Sequence, residues 1–121
     1  MMITKELCKE IVTLIGNNVY ADTIPLNYDL VKGIGVYYIL DSIEDLDYKD
    51  NINLEVHLVT NKVNKLDLFT LEAQIHKRLN RAYLTNGRII TKNIYRNAII
   101  DDEENINISL EYYVVNWREE E

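Results

Sequence analysis

Residues 51–60 read NINLEVHLVT and residues 105–117 read NINISLEYYVVNW. Both alternate. In the first, Ile52, Leu54, Val56 and Leu58 fall on one side of an extended chain, with Asn53, Glu55 and His57 on the other. In the second, Ile106, Ile108, Leu110, Tyr112 and Val114 fall on one side, with Asn107, Ser109, Glu111 and Tyr113 on the other. Successive side chains of a strand point to opposite faces, so each line predicts a strand with one face on a core and one face wet. The residues flanking the two lines do not match and there is no third copy, which excludes a solenoid. The echo is therefore read as two neighbouring strands of one sheet, each half buried for the same physical reason.

Two other segments carry a helical period. Leu7, Ile11, Leu14 and Ile15 recur at three and four, with Cys8 and Val12 widening the stripe. Thr4 is placed to cap that helix, Glu6 suits its first turn, and Gly16 is a stop signal. After a short NKVNK break, Leu68, Leu71, Ile75, Leu79 and Ala82 predict a second amphipathic helix running to Asn86-Gly87. Residues 19–34, with the only proline, read as an extended connection. GVYYILDS at 35–42 has aromatic and β-branched residues on both faces, which predicts a strand covered on both sides. DSIEDLDYKD at 41–50 reads as an acidic loop or hairpin tip. GRIITKNIYRNAII at 87–100 reads as an edge or partner-facing strand, with Arg88, Lys92 and Arg96 sharing a face with Ile90 and Ile94. DDEEN is a turn. The sum is one α+β domain over residues 1–121: two helices packed on one face of a mainly antiparallel β-sheet, with a long C-terminal hairpin.

Composition narrows the function classes. The 121 residues suit a single domain. With one cysteine, Cys8, an intramolecular disulfide is impossible and a cysteine-rich zinc site is excluded. No apolar run is long enough for a membrane helix, and Glu6 and Glu10 do not fit a signal peptide. Those features predict a soluble intracellular chain without membrane association. His57 and His76 lack ligand spacing and read as surface residues; Ser42 and Ser109 sit in no nucleophile elbow. KGIG at 32–35 precedes a strand instead of following one, so it is not a dinucleotide loop. The expectation is a protein that is not an enzyme and uses no cofactor or metal.

Charge is the informative signal. The net charge is −7, yet no acid occurs from Ala73 to Ile100, where Lys77, Arg78, Arg81, Arg88, Lys92 and Arg96 supply +6. The rest of the chain carries −13. An acidic chain with two sparse tyrosines in its basic run is a poor nucleic-acid binder. The split instead suits a basic side that docks on an acidic segment of another copy. The six cations form the candidate basic interface. Asp41, Glu44, Asp45, Asp47 and Asp50 are candidate acids facing a lumen or a partner, and Tyr112, Tyr113 and Trp117 are a candidate aromatic contact.

The order of these elements resembles the tail terminator (tail completion, head-tail joining) proteins of tailed bacteriophages and phage-derived particles. The resemblance runs through an N-terminal amphipathic helix, the connection VYADTIPLNY, the strand GVYYILDS, an acidic loop, NINLEVHLVT, the helix LFTLEAQIHKRLNRAYL and a closing hairpin ending in ISLEYYVVNW. It spans nearly the whole chain and carries no catalytic signature, so no site residue is transferred. It implies a virion structural protein of the tail or neck, assembled in the host cytoplasm. Such a protein forms a hexameric ring on the finished tail tube, ends its polymerisation and joins the tail to the head connector. Its partners would be copies of itself, the tail tube protein and the head-tail connector protein, with DNA passing through the lumen without specific binding. Another neck or head-completion connector, or a small monomeric interaction module, fits the same residues.

Overall fold

The computed structural model describes residues 4–16, 19–45, 49–85 and 88–117; the side chains of residues 42–45, 93–95, 97–98 and 117 lie outside that description. Helix α1 spans Lys5–Ile15. Strand β1 is Val19–Ala21, β2 Gly35–Asp45 and β3 Lys49–Asn61. A short 3₁₀ turn leads into α2, Lys65–Leu79; β4, Ile89–Asp101, and β5, Asn105–Trp117, follow. The five strands form one sheet in the order β1-β2-β3-β5-β4. All neighbours are antiparallel except the short β1, which runs parallel to β2.

The two alternating lines are adjacent strands. Ile52 faces Val114, Leu54 faces Tyr112, Val56 faces Leu110 and Leu58 faces Ile108. Those eight side chains are essentially inaccessible to water and share one core with Leu7, Ile11 and Ile15 of α1 and Leu68, Ile75 and Leu79 of α2. Burying a side chain of this kind stabilises by about 1.5–3 kcal/mol, so this layer fixes the register: a slip of one residue would turn every one of them to water. Thr4 caps α1 by accepting from the Leu7 amide at 3.2 Å. Gly16 ends that helix at φ +122°, a conformation L side chains rarely adopt.

Three expectations are corrected. First, α2 ends at Leu79, not near Asn86-Gly87, and those two residues lie outside the described ones. Asn80 leaves the helical region and Arg81 takes φ +64°. Residues 81–84 then lie along β4: the Arg81 amide donates to Ile90, the Ile90 amide to Ala82 and the Leu84 amide to Arg88. Ala82 and Leu84 still pack on the core, but from this extended segment, so the helix-like step from Leu79 to Ala82 is satisfied another way. Second, of the two readings of residues 41–50 the loop is set aside and the hairpin end holds: Asp41, Glu44 and Asp45 belong to β2 and Asp50 to the antiparallel β3. Third, β2 is not covered on both sides. Val36 and Tyr38 are buried against the core, while Tyr37 and Ile39, on the other face, stay partly exposed.

Strand β4 is heavily bulged. Between Lys92, opposite Tyr112, and Ala98, opposite Ser109, it takes six steps where β5 takes three. A bulge inserts residues without partners, bends the strand and increases its twist. It also breaks the parity expected from sequence: Ile90 and Lys92 register with the core-facing Val114 and Tyr112, whereas Ile94 registers with Glu111 on the opposite face.

Candidate subunit interface

The helices cover one face of the sheet, and the strand order places β4 at one edge and β1 with β2 at the other. Each edge is only partly closed. On β4, the 81–84 segment supplies main-chain partners as far as Ile90; beyond it, among the described residues, no strand lies outside residues 91–101. On the opposite side β1 covers only Val36–Tyr38, and the Asp22 amide donates to the Tyr38 carbonyl at 2.9 Å. Residues 39–45 of β2 have no outer strand among the described residues.

Charge differs between the edges. The six cations of the basic run divide by role. Arg78 donates from Nη1 to the Ile15 carbonyl at 2.9 Å, closing the C-terminus of α1. Arg88 donates from Nε to Asn116 Oδ1 at 3.4 Å. Arg96 reaches across to Glu72 on α2, donating from Nε to Oε2 at 2.7 Å and from Nη2 to Oε1, and its guanidinium lies over the Phe69 ring. Each of these three candidate interface cations therefore also has a partner within the chain. Lys77, Arg81 and Lys92 are exposed, and among the described residues they make no ion pair. Arg81 and Lys92, with Asn80 and Thr91, line a cleft of about 260 Å³ where the open stretch of β4 begins.

The acids are also sorted. Asp41 is exposed and accepts from Asn53 Nδ2 at 3.4 Å. Glu44 and Asp45 hold register positions opposite Asn51 and Asp50. Asp50 is 3% exposed, so it is not a free surface carboxylate; Asp47 lies outside the described residues. Of the aromatic candidates, Tyr112 is a core residue with no exposed surface, and its hydroxyl sits 2.8 Å from His76 Nδ1. Tyr113 is half-buried on the uncovered face, opposite Asn53 and Thr91. Trp117 registers with Lys49 at the end of β5.

The uncovered face has features that its polar spelling hides. His57 stacks on Tyr37 with ring centroids 4.7 Å apart and planes 5° from parallel. Its Nε2 lies 3.6 Å from Glu55. Burial pushes the imidazole below its ordinary value, and the Glu55 carboxylate only partly opposes this. His76 is likewise pushed down by burial and by the charge of Lys92, against Glu72. Neither histidine is the surface residue its position implied. His57 Nε2, Ser109 Oγ and the Oδ1 atoms of Asn51 and Asn53 are buried without a protein hydrogen-bond partner, and all four belong to β3 or β5 on this face. Glu72 had a sequence signal: it occupies a position in the apolar stripe of α2, four after Leu68 and three before Ile75, where a carboxylate needs a cation.

Among the described residues, no three His, Cys, Asp or Glu side chains cluster as metal ligands would, and no helix is long and apolar enough to cross a membrane. What the arrangement offers is surface: two partly open edges of opposite charge and a half-buried polar face. No family model matches this chain, and no curated protein is similar to it.

Proposed function

We propose that this chain is a structural subunit of a phage or phage-like particle. It forms a ring that caps the tail tube, ends its polymerisation and joins the tail to the head connector. The observation that carries this reading is the incomplete closure of the sheet. A lone domain gains by blunting both edges, because unpaired strand N–H and C=O groups recruit other chains. Among the described residues, one edge is open over residues 91–101 and the other over 39–45. Edges on opposite sides of one subunit favour heterologous contact, and heterologous contact that closes makes a ring. The element order resembling tail terminator proteins supplies the particle in which such a ring would act. The basic run then serves assembly, and DNA passes through the lumen without a specific site.

Light scattering coupled to size exclusion, with negative-stain imaging of the same fractions, tests this directly. A closed ring that binds the end of a tail tube and halts its growth is the expected result. A chain that stays monomeric with and without tail tube protein would remove the proposal and leave a small interaction module.

A further inference from the structure

Resting on the ring reading, we infer that the contact between neighbours is strand addition: the outer edge of β2, residues 39–45, of one copy pairs with the outer edge of β4, from Thr91 onward, of the next. Asp41 of that β2 stretch then meets the cleft formed by Asn80, Arg81, Thr91 and Lys92. The occupant is a second copy of this chain, and four observations choose it.

The two open stretches match in kind. Residues 39–45 span about 23 Å at roughly 3.3 Å per residue, and the open part of β4 is longer than that; β2 shifts register between Asp41 and Ile43 and β4 between Lys92 and Ala98, so the added ladder starts at Thr91 and Lys92 and is interrupted at the bulges. Main-chain hydrogen bonds then supply the attraction, as in any strand added to a sheet edge.

Charge selects the direction. The β4 side presents exposed Arg81 and Lys92, with Lys77 nearby in sequence on α2. The β2 side carries Asp41, Glu44 and Asp45 with no cation between Ile39 and Asp45. Pairing β2 with another β2 would oppose acids to acids. Joining the acidic stretch of β2 to the basic start of the open β4 edge, at Arg81 and Lys92, brings opposite charges together and is head to tail; Asp101, at the far end of β4, is already paired with Lys62.

The cleft is in the right place. It sits where the 81–84 segment stops covering β4, beside the first open position, and its lining is two cations, an amide and a hydroxyl. Arg81, at φ +64°, donates its backbone N–H to the Ile90 carbonyl at 2.8 Å, so the main chain of this wall is fixed before a partner arrives. Finally, β1 stops after three residues. A longer β1 would close the β2 edge; its brevity leaves the acidic part of β2 uncovered.

The test uses three full-length variants. Variant A carries Arg81→Glu and Lys92→Glu, variant B carries Asp41→Lys and Glu44→Lys, and variant C carries all four changes. Circular dichroism and thermal melts first establish that each is folded; Arg81, Lys92 and Asp41 are exposed, so folding is expected to be retained. Sedimentation velocity should show wild type as a ring and A and B each as monomers. C should assemble alone. An equal mixture of A and B should assemble again, because each reversed edge then meets a complementary one on the other variant. General loss of stability cannot produce that rescue. If wild type forms rings and A and B form them equally well, strand addition at this cleft is overturned while the ring reading stands. If A and B are monomeric and neither the mixture nor C recovers the ring, the pairing is likewise wrong. A wild type that never associates, alone or on tail tubes, overturns both.

Discussion

Replacing Arg96 by alanine tests what holds the bulged strand in place. The Glu72 side chain is 4% exposed and that of Arg96 35%. Their carboxylate and guanidinium meet through two parallel hydrogen bonds, the strongest geometry for this pair. Removing one partner of a buried pair costs about 3–5 kcal/mol, because the other charge stays desolvated. A third of Arg96 is in water, so the lower part of that range applies, and the lost contact with Phe69 adds back a fraction. The working value is about 3 kcal/mol. With an m-value of roughly 1.5 kcal/mol/M in urea, the unfolding midpoint should fall by about 2 M. The double replacement Glu72→Met with Arg96→Met should lie within about 1 kcal/mol of wild type, since apolar residues of similar volume often replace such a pair without loss. An Arg96→Ala midpoint within about 0.3 M of wild type, at unchanged slope, would refute the reasoning. The pair would then be an ornament of the surface, and the bulge would owe its place to the β4–β5 pairing alone.

Three further outcomes follow from local geometry. Both histidines have pKa values below the ordinary 6.5, so on acidification the unfolded chain takes up protons first. Their contribution to stability is complete above pH 6.5 and is lost as pH falls through the folded values; melts from about pH 7.5 to about 5 should show a falling Tm, flattened in a His57→Phe, His76→Gln variant. Thr4→Ala removes the acceptor of the Leu7 amide and should cost about 1 kcal/mol in urea unfolding. Gly16→Ala places a Cβ at φ +122° and 3.1 Å from Arg78 Nη1, so a loss of about 1–3 kcal/mol is expected, and no change would mean the helix end relaxes freely.

Much of the fold could be read from periodicity, and the misses have physical causes. The alternation at 51–60 and 105–117 was decisive because the same parity holds along both strands. Carried two residues further back, it also places Asp50 with Ile52 on the inward side, which explains the burial of an acid at the end of the β2–β3 hairpin. The same parity puts Tyr112 inside, against its listing among contact aromatics. The end of α2 was hidden because Ala82 keeps helical spacing from Leu79 while the chain turns out to pair with β4. The bulges of β4 could not be read at all: a bulge is a relation between two strands, and neither strand alone records it. For the candidate interface, the charge split was visible in the sequence. That Arg81 and Lys92 lie at one edge of the sheet and Asp41 towards the other depends on strand order, which alternation does not determine.

The bulge and the open edge bear on one another. A strand added to β4 inherits its local direction, and that direction changes between Lys92 and Ala98. A regular edge would continue the ordinary sheet twist into the next subunit and so favour an open helical stack. A ring needs a fixed turn at every contact, the same at each interface, until the last edge meets the first. In this chain the turn is available in the three extra residues of β4, and the Glu72–Arg96 pair ties that stretch to α2. In the proposed ring, the angle of the contact would be held by a carboxylate buried in a helix stripe, a cost that burial of a leucine at the same position would avoid. The Met–Met double variant separates the two roles. It keeps the stability of the domain and removes the directional bond, so rings of mixed size or open chains from a normally stable protein would show that Glu72 is there to set the turn. Uniform rings of wild-type size would show that the backbone of β4 sets it unaided.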